Sequence, residues 1–246
     1  MSNVTSEAMQ GMRHDDWMTA ATEEYRRLDA LLAELSDEEW RLTTDCSEWD
    51  VRQLVAHLVG AAEAGASMRA LVHQARRGRR LRPGEPGVEG MNAVQVQERA
   101  DADPALLRAD LASIGARAVR RRSGLPAALR ALRVPFGPPL GTKPLGYLMD
   151  RIYTRDAWMH RIDIARATGR TPELTADHDG RIVADVVAEW ASAHGQPYRM
   201  TLTGPAGGSW SAGDDGEEHS LDAVEFCRIL SGRAAGTGLL AHAVPF

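Results

Sequence analysis

The residues best able to do chemistry lie in "RDAWMHRIDIARATGR", residues 155–170. Asp156 and His160 are four apart, which on a helix sets both side chains on one face about 6 Å apart along the axis. Asp163 follows one turn later. The same rhythm runs backwards through Ile152, Met149 and Leu145, so polar groups have taken over the continuation of an apolar stripe. Burying a carboxylate and an imidazole without partners costs several kcal/mol, so a hydrogen-bond network, a water-filled cleft or a metal ion must satisfy them. For a metal, this helix supplies two ligands and another must supply the third. His57, flanked by Leu54, Leu58 and Ala61, is the candidate. Two imidazoles and a carboxylate leave coordination positions open, the mark of a catalytic divalent site, with zinc the default and iron, nickel or manganese the alternatives. Asp163 could accept the other imidazole N–H of His160 and fix its tautomer. The spacing alone also fits a blander reading, in which the Asp156–His160 pair arises by chance and His57 is a hydrogen-bonded core residue.

The elements that must position these groups read as helices. Trp17, Ala21, Leu28, Leu31, Leu32 and Leu35 share one face of a first helix. Asp50 and Gln53 make a capping-box start for a second, with Val51, Leu54, Val55, Leu58 and Val59 on its buried face; it is expected to end near Gly78. A third helical region spans about 91–121, with Asp103-Pro104 starting a fresh helix. Repeated Pro and Gly make 123–144 a long irregular connection, on which Arg133 and Lys143 are expected as exposed charges. The fourth long helix runs from about Leu145 to Thr168 and stops at Gly169. Four such helices imply an antiparallel bundle. Beyond Gly169 a helix over 179–194, a hairpin from "YRMTLTG" and "GSWSAGD", and a last helix in "LDAVEFCRILSGR" read as a small α/β unit. The expected fold is therefore α+β, mainly α, with domains at 1–170 and 171–246.

Composition bounds the function. At 246 residues, 43% hydrophobic and 26% charged, the chain is an ordinary globular protein that needs no disulfide or metal merely to fold. A net charge of −5 argues against a dedicated nucleic-acid binder, and the arginine runs at 76–80 and 120–122 read as solvated helix ends. Cys46 and Cys227, far apart and outside any C-x-x-C pattern, indicate a reducing compartment and no cysteine-built zinc site. No run approaches a membrane span, and Glu7, Asp15 and Asp16 break the order of a signal peptide, so a cytoplasmic location is expected. Trp40, Trp49 and Trp158 are expected as packing residues.

"TTDCSEWDVRQLVAHLVG" together with "RDAWMHRIDIARATGR" resembles the mycothiol-dependent maleylpyruvate isomerase family, whose N-terminal domain is a DinB-like four-helix metalloenzyme bundle. The tail, from "LDAVEFCRILSGRA" to "VPF", looks like that family's C-terminal domain. The resemblance implies His57, Asp156 and His160 as metal ligands, mycothiol as the thiol cosubstrate, and an active-site arginine from the C-terminal domain, for which Arg228 and Arg233 are the candidates. It departs from the family's E-x-x-x-H pattern in having Asp156, one methylene shorter, so this carboxylate must sit closer or bind in another mode. The expected function is thiol attack on an electrophilic small molecule, giving cis–trans isomerisation or S-transfer. The competing readings are a metal-dependent hydrolase that uses no thiol and a non-catalytic ligand-binding or regulatory protein that keeps the bundle. Neither oligomeric state nor substrate follows from the residues.

Overall fold

The structure, a computed structural model, describes residues 11–138 and 140–246, so Glu7 lies outside the described residues. It divides into two compact units, His14–Pro172 and Glu173–Phe246, the latter grouped with residues 11–13.

In the first unit, α1 (His14–Ala33) buries Trp17, Ala21, Leu28 and Leu32, the face that the spacing foretells. The capping box forms as expected: Asp50 accepts from the Gln53 N–H and Gln53 accepts from the Asp50 N–H, opening α2 (Val51–Ala66). The helix does not continue to Gly78. Ser67 adopts extended backbone (φ −148°), ends α2, and caps α3 (Met68–Leu81) by accepting from the Ala70 N–H. Gly65 weakens the last turn of α2, and at the break itself stands a serine whose side chain competes for backbone donors.

The third region also divides, into α4 (Gly87–Gln97) and α5 (Pro104–Ser123), the latter capped by Asp103 with Pro104 in its first turn. Where α3 and α4 cross, a Cβ on Gly78 would lie 2.5 Å from the Gly90 carbonyl carbon, so only a glycine pair permits the contact.

Residues 123–144 are more ordered than expected. They contain α6 (Ala127–Arg130) and an antiparallel ribbon of β1 (Arg133–Gly137) and β2 (Gly141–Pro144), pairing Val134 with Lys143. A two-stranded ribbon has two open edges, so Pro135 is tolerated there. A π-helical segment, Tyr147–Ile152, leads into α7 (Tyr153–Ala167), and Gly169 at φ 66° ends it.

Helix α1 packs on α5 and α7, and α2 packs on the same two, which closes a four-helix bundle; α3 and α4 lie against α2. Leu28, Leu54, Leu58, Leu107, Leu111 and Ile164 are among its core residues.

In the second unit, α8 (Arg181–His194) ends at Gly195 with φ 63°. The expected hairpin is β3 (Tyr198–Thr203) with β4 (Gly208–Ala212). A third strand, β5 (Glu217–Asp222), pairs parallel to β3 in the order β4-β3-β5. "EEHSLD" lacks the apolar alternation that would have revealed it. Asp222 then caps α9 (Ala223–Leu230). Trp190 and Phe226 meet edge to face in this unit's core, ring centroids 5.6 Å apart. The architecture is thus α+β and mainly α. Among the described residues no helix is long and apolar enough to cross a membrane.

Candidate metal centre

Helices α2 and α7 bring His57, Asp156 and His160 together. His57 Nε2 lies 3.4 Å from both Asp156 carboxylate oxygens, and His160 Nε2 lies 3.3 Å from Oδ1. These distances are long for charge-assisted hydrogen bonds, which run about 2.7–2.9 Å. They match the edge of a tetrahedron with bonds of about 2.0–2.1 Å, an edge of about 3.3–3.4 Å, as expected for nitrogen and oxygen ligands sharing one zinc-sized ion. The donor set and its spacing therefore fit a divalent cation, and one donor atom from each of the three residues lies within 4.8 Å of the others.

The outer nitrogens are held more tightly. His57 Nδ1 is 2.7 Å from Gln95 Oε1 on α4, Gln95 Nε2 donates to Gln74 Oε1 on α3 at 2.8 Å, and Gln74 Nε2 donates to the Gly60 carbonyl at 2.9 Å. A backbone carbonyl can only accept, so the direction of the whole chain is set from its far end: each amide donates onward, Gln95 Oε1 accepts, and His57 must carry its proton on Nδ1. Its Nε2 lone pair is left facing Asp156. Gly60 makes room for this chain, since a Cβ there would collide with the Gln95 side chain. On α7, His160 Nδ1 lies 2.9 Å from Asp163 Oδ2, with Asp163 wholly buried. Asp163 thus holds the same tautomer in His160 that Gln95 holds in His57.

The loop before α2 completes the site. The Thr44 hydroxyl donates to the Trp49 carbonyl at 2.9 Å and accepts from the Cys46 N–H at 3.2 Å, while the Trp49 N–H donates to the Cys46 carbonyl at 2.7 Å. This tight turn lays Trp49 against His57, ring centroids 5.0 Å apart, and sets Cys46 Sγ 3.6 Å from Asp163 Oδ2 and 3.9 Å from His160 Nδ1. Cys46, His160 and Asp163 form a second group able to offer converging ligand atoms. Trp40 and Trp158 are core residues as expected, whereas Trp49 also lies against the His57 imidazole.

Without an ion, Asp156 and His160 shift one another's titration. Burial pushes the Asp156 carboxyl up, but the imidazoles of His57 and His160 beside it outweigh this and hold the group well below the usual carboxylate range. Burial pushes His160 down, and Asp156, then Asp163 and Cys46, raise it well above an ordinary histidine. The site therefore stores an Asp–His ion pair whose proton a cation would displace.

Sequence reasoning passed over Gln95, Gln74 and Cys46. The glutamines carry no local signal, being 38 and 17 residues from His57. Cys46 sits inside the quoted "TTDCSEWD" and could have been weighed as a neighbour of the ligand helix. Of the other candidates, Arg133 donates to the Thr142 carbonyl at 2.9 Å, and the Lys143 ammonium stands 4.8 Å from the Tyr147 ring centroid. Arg228 and Arg233 belong to the second unit: Arg228 is buried and donates to Glu225 at 2.7 Å, and the Arg233 N–H donates to the Arg228 carbonyl at 2.8 Å.

Comparisons with known proteins bear on this centre. The sequence model of the family described as mycothiol maleylpyruvate isomerase N-terminal domain matches residues 21–165. No curated protein matches the chain. Among solved structures, the mycothiol-dependent maleylpyruvate isomerase is similar at a TM-score of 0.60 and 16% identity, covering 91% of both chains. A mutant of that enzyme is similar at 0.60 and 18%, again over 91% of each. At these identities the structural likeness establishes the shared fold.

Proposed function

The chain belongs to the mycothiol maleylpyruvate isomerase N-terminal domain family, and from that premise we propose that it is a cytoplasmic, mycothiol-dependent metalloenzyme acting on an electrophilic small molecule. The observation that carries the reading is the orientation of the two imidazoles: each has its Nδ1 held by a fixed acceptor and its Nε2 turned to the same carboxylate. His57, Asp156 and His160 would hold the ion. When bound, a divalent ion, zinc by default for this donor set, lowers the pKa of a thiol so that it is a thiolate near neutral pH.

The chain's own residues do the rest. Asp163 keeps the His160 proton on Nδ1, and Gln95, anchored through Gln74 to the Gly60 carbonyl, does the same for His57. Trp49 lies over the His57 ring and limits water there. Attack of the thiolate on an activated double bond, rotation about the resulting single bond and expulsion of the thiol would give cis–trans isomerisation, with no net change in atoms. Attack with the sulfur retained would give S-transfer. A role for Arg228 or Arg233 with a substrate carboxylate is supported by the family resemblance and by the charge-assisted bonding that guanidinium groups offer carboxylates.

The test incubates zinc-loaded protein with mycothiol and a panel of electrophiles including maleylpyruvate, following isomer and thioether by mass. Turnover that requires both the thiol and the ion is expected. Turnover that persists without thiol would replace this reading with a metal-dependent hydrolase, and no turnover alongside a metal-free, folded protein would replace it with a binding protein.

A further inference from the structure

Arg122, on α5, is 1% exposed. Its Nη2 donates to Thr154 Oγ1 at 2.8 Å and lies 3.5 Å from the Asp150 carbonyl, but its Nε and Nη1 are buried with no hydrogen-bond partner. A guanidinium keeps its charge at any working pH, and the hydrogen bonds of this one go to neutral acceptors only. The Asp150 carboxylate, whose charge also acts on Arg122, makes its close contacts elsewhere, with His14 at 3.1 Å and Arg130 at 3.7 Å. A buried cation left this way is a standing demand for an anion.

One phenol stands beside it, and a second lies against the same helix two turns earlier. The Arg122 guanidinium carbon lies 5.8 Å from the Tyr153 ring centroid, and the two side chains converge with Ala118 over Gly65 of α2, which contributes no side chain to fill the space. The Tyr25 ring of α1 lies on α5 at Gly115, where any Cβ would come within 2.7 Å of it. No hydrogen bond among the described residues engages either phenol oxygen. Both phenols feel the charges of Arg122 and of Asp156, and burial holds Tyr25 up to about 12 and Tyr153 higher still, so both are O–H donors at neutral pH. Solvent reaches this face: from Thr154 to Ala165 every residue of α7 is buried except Asp156, and Tyr153, one turn before it, is also partly exposed.

We propose that Tyr25, Tyr153 and Arg122 form a carboxylate-binding subsite inside the bundle, beside the metal ligand Asp156 but built from none of the three ligands, with the phenols donating hydrogen bonds and the guanidinium supplying the opposing charge. The subsite rests on the proposed function only in that the carboxylate belongs to a molecule that also meets the metal centre. It orients that molecule by one end and leaves the other end free to face the metal centre.

The test titrates maleate into the full-length protein by calorimetry, with and without zinc, and measures metal content separately. Saturable one-to-one binding is expected. Tyr25→Phe and Tyr153→Phe, which keep ring packing, are each expected to weaken it about tenfold, as for loss of a hydrogen bond to a charged group. Arg122→Gln is expected to weaken it further, and dimethyl maleate, which lacks the charge, should not bind. In His57→Ala the maleate affinity should persist even though the ion is lost. The inference is overturned if maleate does not bind, if both phenylalanine variants bind it as wild type does, or if binding disappears with the ion in His57→Ala. A protein that never holds metal but binds maleate through the two phenols would sink the metal reading and leave this one standing.

Discussion

His57 and His160 differ in element and in outer partner, one held by an amide and the other by a carboxylate, and this difference is measurable. Replacing a ligand should abolish binding: His57→Ala is expected to lower bound zinc from about one per chain to near none, read by elemental analysis, with helical content kept. Replacing an outer partner should only weaken it. Asp163→Asn is expected to cost about 10–100-fold in zinc affinity by competition with a chelating dye.

The pH dependence follows from the ion pair. Asp156, held low, contributes stability above its unfolded value of about 3.9, which is lost only as pH falls through its folded value. His160, held high, contributes stability fully present below about 6.5, which is lost as pH rises through its folded value. The chelator-treated protein should therefore melt at falling temperature as pH climbs above about 6.5. Zinc binding must release the His160 proton, so zinc affinity should rise over the same range. A melting temperature that is flat from pH 6 to 8.5 in chelator would contradict both.

Among the elements, the α3–α4 pair is the least obvious contributor. It adds no ligand, yet it brings Gln74 and Gln95 to the outer nitrogen of His57, and the glycine crossing at Gly78 and Gly90 sets how closely it packs. Gly78→Ala should force the two backbones apart and destabilise the protein by about 1–3 kcal/mol in denaturant unfolding. It should also weaken zinc binding, although the substitution lies far from any ligand. This part of the site was not legible in the sequence. A break at Ser67 turned one expected helix into two, and only the resulting fold-back puts Gln74 over Gly60. The pairing of Asp156 with His160 was legible, because a spacing of four on a helix fixes which face both occupy whatever the helix packs against.

At the scale of the molecule, the bundle is tied internally by a buried ion pair between Glu24 of α1 and Arg161 of α7, both almost wholly inaccessible. Removing one partner takes this counter-charge from a buried group, so Glu24→Gln should cost up to about 3–5 kcal/mol in unfolding free energy, whereas the double change Glu24→Leu, Arg161→Met should recover much of it. With α1 and α7 loosened, zinc should also hold the single variant less well. Such a pair is invisible from one sequence, since 137 residues separate its members.

By itself, the sequence determined what depends on local period and backbone chemistry: the four bundle helices, the caps at Asp50, Asp103 and Gly169, the α+β character, and the polar line of Asp156, His160 and Asp163. These follow from residues within about one or two helical turns of each other, where geometry is dictated by the 3.6-residue repeat. Only the tertiary structure decided which distant groups complete the line, Gln95 behind His57 and Trp49 and Cys46 from the turn before α2, and it alone set Tyr153 beside Arg122. Those contacts are set by how helices cross and where a glycine lets one approach another, and that depends on the packing of the whole core rather than on any spacing along the chain.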